Sequence, residues 1–198
     1  MIESYDIKGR ILEYDNDTHT YLVDGIIVSS VTQLLNKKFG HKYDDVSNST
    51  LKRAADRGTM IHKAIEDFCN GIESNIPEVR DFAFLMNYYG FWVVKNELPI
   101  ILDFAGKTYA GRLDLILAMN GEPYDDKLAV ADIKTTSTLD REYLGYQLNL
   151  YRLGAIQSYG YDIQKLYGIH LKNGKRKLVP IPIKEEQWLV ESLNIQEA

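Results

Sequence analysis

The spacing of apolar and polar positions changes period along the chain, and the changes divide it into extended and helical stretches. At the start, short alternating runs separated by turn-forming pairs predict a small antiparallel element: Arg10 to Tyr14, an Asn16-Asp17 turn, Thr20 to Val23, an Asp24-Gly25 turn, and Ile26 to Val28. A helix is expected over Ser30 to Asn36. After a polar stretch from Gly40 to Thr50, apolar residues recur at helical spacing from Leu51 to Cys69, with Ser49 placed to cap the helix and Asn70-Gly71 to end it. Its predicted buried stripe is Ala54, Ile61, Ile65 and Phe68. Pro77 suits the first turn of a second helix running to Asn96, with Phe82, Leu85, Met86, Tyr89 and Trp92 on its buried face.

From Leu98 the period drops to two. Leu98 to Phe104, Thr108 to Ala118 and Leu128 to Lys134 read as a three-stranded meander. Asp140 caps a helix from Arg141 to Tyr159. Leu166 to Leu171 and Lys177 to Ile181 flank an Asn173-Gly174 turn as a hairpin, and Glu185 to Leu193 forms a last helix. The order of elements predicts the α/β (α+β) class, a mixed central β-sheet flanked by helices. No repeat or linker divides the chain, so residues 1–198 read as a single domain: a β/α extension over 1–50, a core over 51–184 and a C-terminal helical segment over 185–198.

Composition narrows the function classes. A chain of 198 residues with 45% hydrophobic content can bury one sizeable core. Its unbroken apolar runs, such as Leu98 to Leu102, fall far short of the roughly 20 residues a membrane helix needs. Met1 to Arg10 carries acids and no apolar signal region, so a cytoplasmic location is expected, with no membrane partner. The single cysteine, Cys69, excludes an internal disulfide and any all-cysteine metal cluster. A net charge of −5 argues against bulk electrostatic binding of nucleic acid, but the charge is uneven: Ile163 to Lys184 carries +6 and the remainder −11. Lys172, Lys175, Arg176 and Lys177 at the hairpin tip are the expected phosphate contacts, with Arg112 as a further candidate.

The candidate chemistry lies on two strands. In Arg112 to Leu117, alternation places Leu113, Leu115 and Leu117 on one face and Arg112, Asp114 and Ile116 on the other. In Val130 to Lys134, Asp132 and Lys134 share a face roughly 7 Å apart while Ile133 points inward. Acids on partly buried strand faces are costly unless they pair or bind a cation. A simple salt bridge to Lys134 would account for one carboxylate, and a divalent metal accounts for both. Upstream, His62 and Glu66 lie one turn apart beside the small residues Ala55, Gly58 and Cys69; they read either as a surface ion pair or as a third wall of the site. Gln147 and Tyr151, also one turn apart, border the Leu144, Leu148 and Ala155 face.

Four segments in order carry a resemblance: Arg57-Gly58-Thr59-Met60-Ile61-His62, Gly111-Arg112-Leu113-Asp114, Asp132-Ile133-Lys134-Thr135-Thr136, and Gln147 with Tyr151. They resemble the signatures of RecB-like nucleases in the PD-(D/E)XK superfamily, and Tyr21 to Thr32 is similar to compact phage-type exonucleases of that group. No single short motif is specific; four in order on suitable elements are. The resemblance implies a restriction-endonuclease-like core and a metal-dependent DNA nuclease, an exonuclease in phage or mobile-element recombination and end processing within a bacterial host cell. It implies that Asp114, Asp132, the Ile133 carbonyl and His62 hold Mg²⁺ or Mn²⁺, and that Lys134 helps activate water and counters transition-state charge. Gln147 and Tyr151 would orient the nucleophile's surroundings or a phosphate, and Glu66 and Glu97 lie where related enzymes place accessory acids. DNA, a phage single-strand annealing protein and further copies of the chain are the implied partners. Leu113 stands where the naming proline of the superfamily would be, and one cysteine cannot hold the four-cysteine iron-sulfur cluster of many relatives. The alternative is a catalytically inactive nucleic-acid-binding or interaction protein on the same scaffold, against which the intact Asp114, Asp132 and Lys134 weigh.

Overall fold

The computed structural model describes residues 1–43, 47–119, 127–172 and 174–194. Four short antiparallel strands open the chain: β1 (Ile2–Ile7), β2 (Arg10–Asp15), β3 (Thr20–Val23) and β4 (Ile26–Ser30). The last three match the expected element. The first was not foreseen, because its residues are held by pairing with β2 and only Ile7 among them is buried. Helix α1 (Val31–Phe39) starts with a reciprocal cap, in which the Gln33 N–H donates to Ser30 Oγ and the Ser30 N–H donates to the Gln33 side chain.

Helix α2 (Asn48–Cys69) is capped by Ser47 rather than Ser49, and its first half stands clear of the core. Ala54, expected on the buried stripe, is exposed, and full burial begins only at Ile61. Helix α3 (Pro77–Tyr89) ends at Gly90, whose left-handed backbone (φ 65°) closes it well before Asn96. Strand β5 (Trp92–Phe104) takes over the residues in between, so Tyr89 and Trp92 are exposed instead of forming a buried helix face. Next come β6 (Lys107–Ala118), β7 (Lys127–Lys134), α4 (Arg141–Tyr159), β8 (Asp162–Lys172), β9 (Lys175–Ile181) and α5 (Glu186–Ser192). Of the expected Asn173-Gly174 turn, Asn173 lies outside the described residues and Gly174 has φ 74°. Residues 44–46 of the polar stretch and 195–198 of the C-terminal segment also lie outside them.

The strands form one mixed sheet in the order β1-β2-β3-β4-β6-β7-β8-β9, with β5 paired to β6. The antiparallel meander β5-β6-β7 is as expected, and the β4–β6 and β7–β8 pairs are parallel. Strand β6 holds the sheet together by sharing its edges. Along one edge β5 follows it throughout; along the other, β4 pairs at Tyr109 and Ala110 and β7 at Leu115 to Ala118. Between those contacts, Gly111 to Asp114 face a fork where neither neighbour is in ladder contact.

Helices cover both faces. Leu35, Phe39, Leu144, Leu148 and Leu189 of α1, α4 and α5 pack on Ile100, Leu102, Leu113 and Ile116. On the other face, Ile61, Ile65, Phe82 and Leu85 of α2 and α3 pack on Leu115, Leu117 and Ile133. Leu113 and Leu115 therefore serve different cores, and the expected grouping of Leu113, Leu115 and Leu117 fails at Asp114. The cause lies across the ladder. Glu97 falls between the pairs Leu98–Leu113 and Asn96–Leu115 and has φ 44°, a conformation costing about 1–3 kcal/mol outside glycine, which breaks the in-out alternation at this level. On the first face α4 seats closely on β5, because a Cβ at Gly154 would lie 2.2 Å from Ile100 Cδ1. Among the described residues, no helix is long and apolar enough to cross a membrane.

Candidate active site

The fork in the sheet is where the candidate residues meet. Asp114 Oδ2 accepts a hydrogen bond from the Ile133 N–H at 2.7 Å, linking β6 to β7 just past the end of their ladder. Helix α2 delivers His62 to the same point: Nε2 donates to the Ile133 carbonyl at 3.0 Å, and Nδ1 lies 3.5 Å from Asp114 Oδ2. A carbonyl can only accept, so Nε2 carries a proton and Nδ1 faces the carboxylate. The Ile133 carbonyl, expected as a metal ligand, thus orients the imidazole here and keeps one lone pair for a cation. Of the small residues on α2, Gly58 approaches β7's end, where a Cβ would meet Thr135 Oγ1 at 3.6 Å, while Ala55 is exposed.

Glu97 completes the group. His62, Glu97 and Asp114 each offer a ligand atom, and these atoms lie within 4.8 Å of one another. The positive φ at Glu97 belongs to this arrangement, and strain of that kind concentrates at functional sites. The other accessory candidate, Glu66, instead pairs with Lys63 at 3.0 Å, which also binds Asp67 at 3.1 Å.

Asp132 and Lys134 form a second group on the face they were expected to share. Asp132 is 2% exposed, and its Oδ2 lies 2.6 Å from Lys134 Nζ without a well-aligned hydrogen bond. Lys134 Nζ donates to Gln147 Oε1 at 3.0 Å, and Gln147 lies beside the Tyr151 hydroxyl. The Tyr151 ring covers Gly111, where a Cβ would lie 3.0 Å from Tyr151 Cε1, so glycine is the residue that lets α4 close over the fork. Residues of all four ordered segments, on α2, β6, β7 and α4, converge on one junction.

Titration behaviour follows from crowding acids in a partly dry site. Burial pushes the Glu97 carboxyl up to about 7, Asp114 adds to the rise, and His62 and Arg112 oppose it. Burial likewise raises Asp132 to about 6, with Asp114 adding and Lys134 opposing. Burial alone would lower His62, but Asp114, Asp132 and Glu97 outweigh it and raise the imidazole. Lys134 is raised in the same way, Asp132 and Asp114 overcoming its desolvation.

The cations expected to touch DNA are not equally available. Arg112 Nη2 bonds Glu3 and, at 3.1 Å, the Tyr5 hydroxyl, and its guanidinium lies 5.2 Å over the Tyr14 ring. Hydrogen bonds from Tyr5, Asn16 and Arg112 hold Glu3 down to about 2. Arg176 Nη1 donates to Asp81 at 2.7 Å and its guanidinium lies 3.8 Å over Phe84. Lys175 and Lys177 are exposed, and Lys172 is half-buried. Because β8 runs parallel to β7, with Lys134 level with His170 and His170 paired with Lys177, Lys177 lies level with Lys134 and Arg176, Lys175 and Lys172 just beyond it at the same end of the sheet.

The sequence matches no protein-family profile and no curated protein. Among solved structures, the protein SSO0001 is similar at 18% identity with a TM-score of 0.47, over 84% of this chain and 73% of that one. A Eubacterium rectale protein provisionally named an exonuclease is similar at 9% identity with a TM-score of 0.48, over 85% of this chain and 77% of that one. Likenesses of this size bear on neither chemistry nor substrate, which must be read from the chain's own residues.

Proposed function

We propose that the chain is a divalent-metal-dependent deoxyribonuclease, a RecB-like member of the PD-(D/E)XK superfamily that hydrolyses phosphodiester bonds. The observation that carries this reading is the convergence of His62, Glu97 and Asp114, with ligand atoms within 4.8 Å of one another, beside a lysine held in place by Asp132 and Gln147. Burial and the Asp114 carboxylate raise both Glu97 and Asp132, and oxygen donors with one imidazole fit Mg²⁺ or Mn²⁺.

His62, Glu97 and Asp114 would hold the ion, with Asp132 and the free lone pair of the Ile133 carbonyl as further oxygen donors. Bound there, it would supply Lewis-acid charge at the phosphate and an easier deprotonation of water. The protein's own part is positional. His62 is fixed by its bond to Ile133, which leaves Nδ1 aimed at the carboxylates. Lys134 stays protonated, because Asp132 and Asp114 overcome its desolvation, and it places a positive charge where the attacked phosphate gains negative charge. Gln147 fixes the ammonium's direction, and Tyr151, beside Gln147, closes the fork over Gly111.

The same reading extends to an exonuclease working on DNA ends in phage or mobile-element recombination in a bacterial cytoplasm. It would act as one nuclease domain, with a phage annealing protein or further copies of itself as partners. Incubation with end-labelled single- and double-stranded DNA and with a closed circle, in Mg²⁺, in Mn²⁺ and in excess chelator, tests it. Metal-dependent loss of the linear substrates is expected; full activity in chelator would overturn the mechanism.

A further inference from the structure

Lys134 belongs to a second feature besides the fork. It also lines a cavity of about 490 Å³ between α1 and the β7–α4 connection, a size suited to one small ligand. Phe39 and Tyr143 form an aromatic corner in it, edge to face at 76° with centroids 5.5 Å apart. The Tyr143 ring is 5.9 Å from Lys134 Nζ, so the aromatic surface begins about where an anion held by that ammonium would end. Asn36 and Thr138 add an amide and a hydroxyl to the lining.

The charge pattern separates two parts of a ligand. Lys42 lies 4.7 Å over the Phe39 ring, but its ammonium is 2.7 Å from Asp140 and 3.8 Å from Glu142, so the inner cavity has no surplus of positive charge and does not select an anion. The ligand that fits has a flat, hydrogen-bonding, uncharged body for the aromatic corner and an anionic group for Lys134. That is the chemistry of a nucleobase with its phosphate.

We propose that this cavity takes the base of one unpaired deoxynucleotide whose phosphate lies at Lys134, an inference that rests on the nuclease reading and names its substrate form. A duplex can supply such a base only by releasing it from the stack, at a cost of a few kcal/mol that is least at a strand end or in a single strand. The cavity therefore directs attack to ends and unpaired segments rather than to internal duplex positions.

The test compares deoxyadenosine 5′-monophosphate with inorganic phosphate by calorimetric titration of the full chain. The nucleotide should bind at least about tenfold more tightly, within the range that base–aromatic stacking supplies. Asn36→Trp, at an exposed position of α1, should fill the cavity and bring the nucleotide down to the affinity of phosphate; Thr138→Trp on the opposite wall serves if the first variant does not fold. Equal binding of the two ligands by the unaltered protein would overturn the proposal, as would full nucleotide preference in a folded blocked variant. Failure of DNA hydrolysis in Mn²⁺ with nucleotide preference intact would instead remove the nuclease reading and leave the base site standing.

Discussion

The fork between β6 and β7 and the tip of the β8–β9 hairpin both concentrate charge, and they do so on opposite plans. At the fork, Glu97 lies close to Asp114, Asp132 also feels the Asp114 charge, and the neighbours that could offset them, His62 and Lys134, are themselves largely withdrawn from water. At the tip, Lys175 and Lys177 stand in solvent, and the one arginine is already satisfied by Asp81 and Phe84. Crowding buried like charges raises the free energy of the empty protein, and a bound cation relieves it. Exposed cations cost nearly nothing to keep and act only on a charged partner within about a Debye length. One region should therefore govern turnover and metal-linked stability, and the other should govern only the salt-dependent grip on DNA.

The sharpest way to break that division is to remove the fork residues singly. Asp114→Ala, Asp132→Ala and Lys134→Ala should each lower DNA cleavage by about 10²–10³ or more, the scale seen when one charge-stabilising group is lost from a preorganised site. Circular dichroism should show the fold retained. His62→Ala should be severe in Mg²⁺ and milder in Mn²⁺. Wild-type turnover in Asp132→Ala would mean that the fork is not the reacting centre.

A smaller effect, with a sign that separates function from packing, is expected at Glu97. Its folded value of about 7 lies above its ordinary 4.5, and that of Asp132, about 6, lies above 3.8. Between those limits the folded chain binds more protons than the unfolded chain. The stability of the metal-free protein should therefore fall as pH rises from about 4 to 7 and level off above. Glu97→Gln should flatten that fall and stabilise the metal-free protein near pH 8 by on the order of 1 kcal/mol, after allowing for screening by solvent. The same variant should bind Mn²⁺ more weakly. Thermal melts at pH 5 and pH 8, with and without Mn²⁺, read both effects; a variant less stable than wild type at pH 8 without metal would show that Glu97 is there for packing.

How far the fold could be read in advance depended on whether local pattern or long-range pairing made each element. The meander over β5, β6 and β7 was legible because half-buried strands alternate, and Ser30 and Asp140 were legible as helix starts because caps are local chemistry. Helix α3 stops short of the expected Asn96 because Gly90 ends it locally, although Tyr88, Tyr89, Phe91 and Trp92 continue the apolar run past that glycine. Strand β1 leaves almost no apolar trace, since pairing with β2 holds it. At the fork, Asp114, Asp132, Lys134 and Gln147 were identifiable as a set by their order and types. Glu97 and Glu66 could not be ranked, because only the backbone turn at Glu97 decides which carboxylate arrives. The binding of Arg112 by Glu3 joins residues from opposite ends of the sheet order's first half and has no local signature.

The smallest expected effect belongs to the hairpin, and the structure refines which of its cations to change. Lys177 is exposed level with Lys134 and Lys175 is exposed at the tip beyond it, so each can meet a phosphate that continues past the fork. Losing both to alanine should lower the log–log salt dependence of DNA binding by up to about 1.8, at roughly 0.9 per phosphate contact. Turnover at saturating DNA should stay within about twofold, because these charges contribute to binding and not to the reacting phosphate. Arg176→Ala is the internal contrast. Its guanidinium is already paired with Asp81 and stacked on Phe84, so its loss should lower the melting temperature slightly, by an amount set by an ion pair worth about 0–1 kcal/mol, and change the salt slope less than either lysine does. An unchanged slope in the double lysine variant would move the DNA path to another surface, and Lys52 and Arg53 on the exposed first half of α2 are the cations placed to receive it.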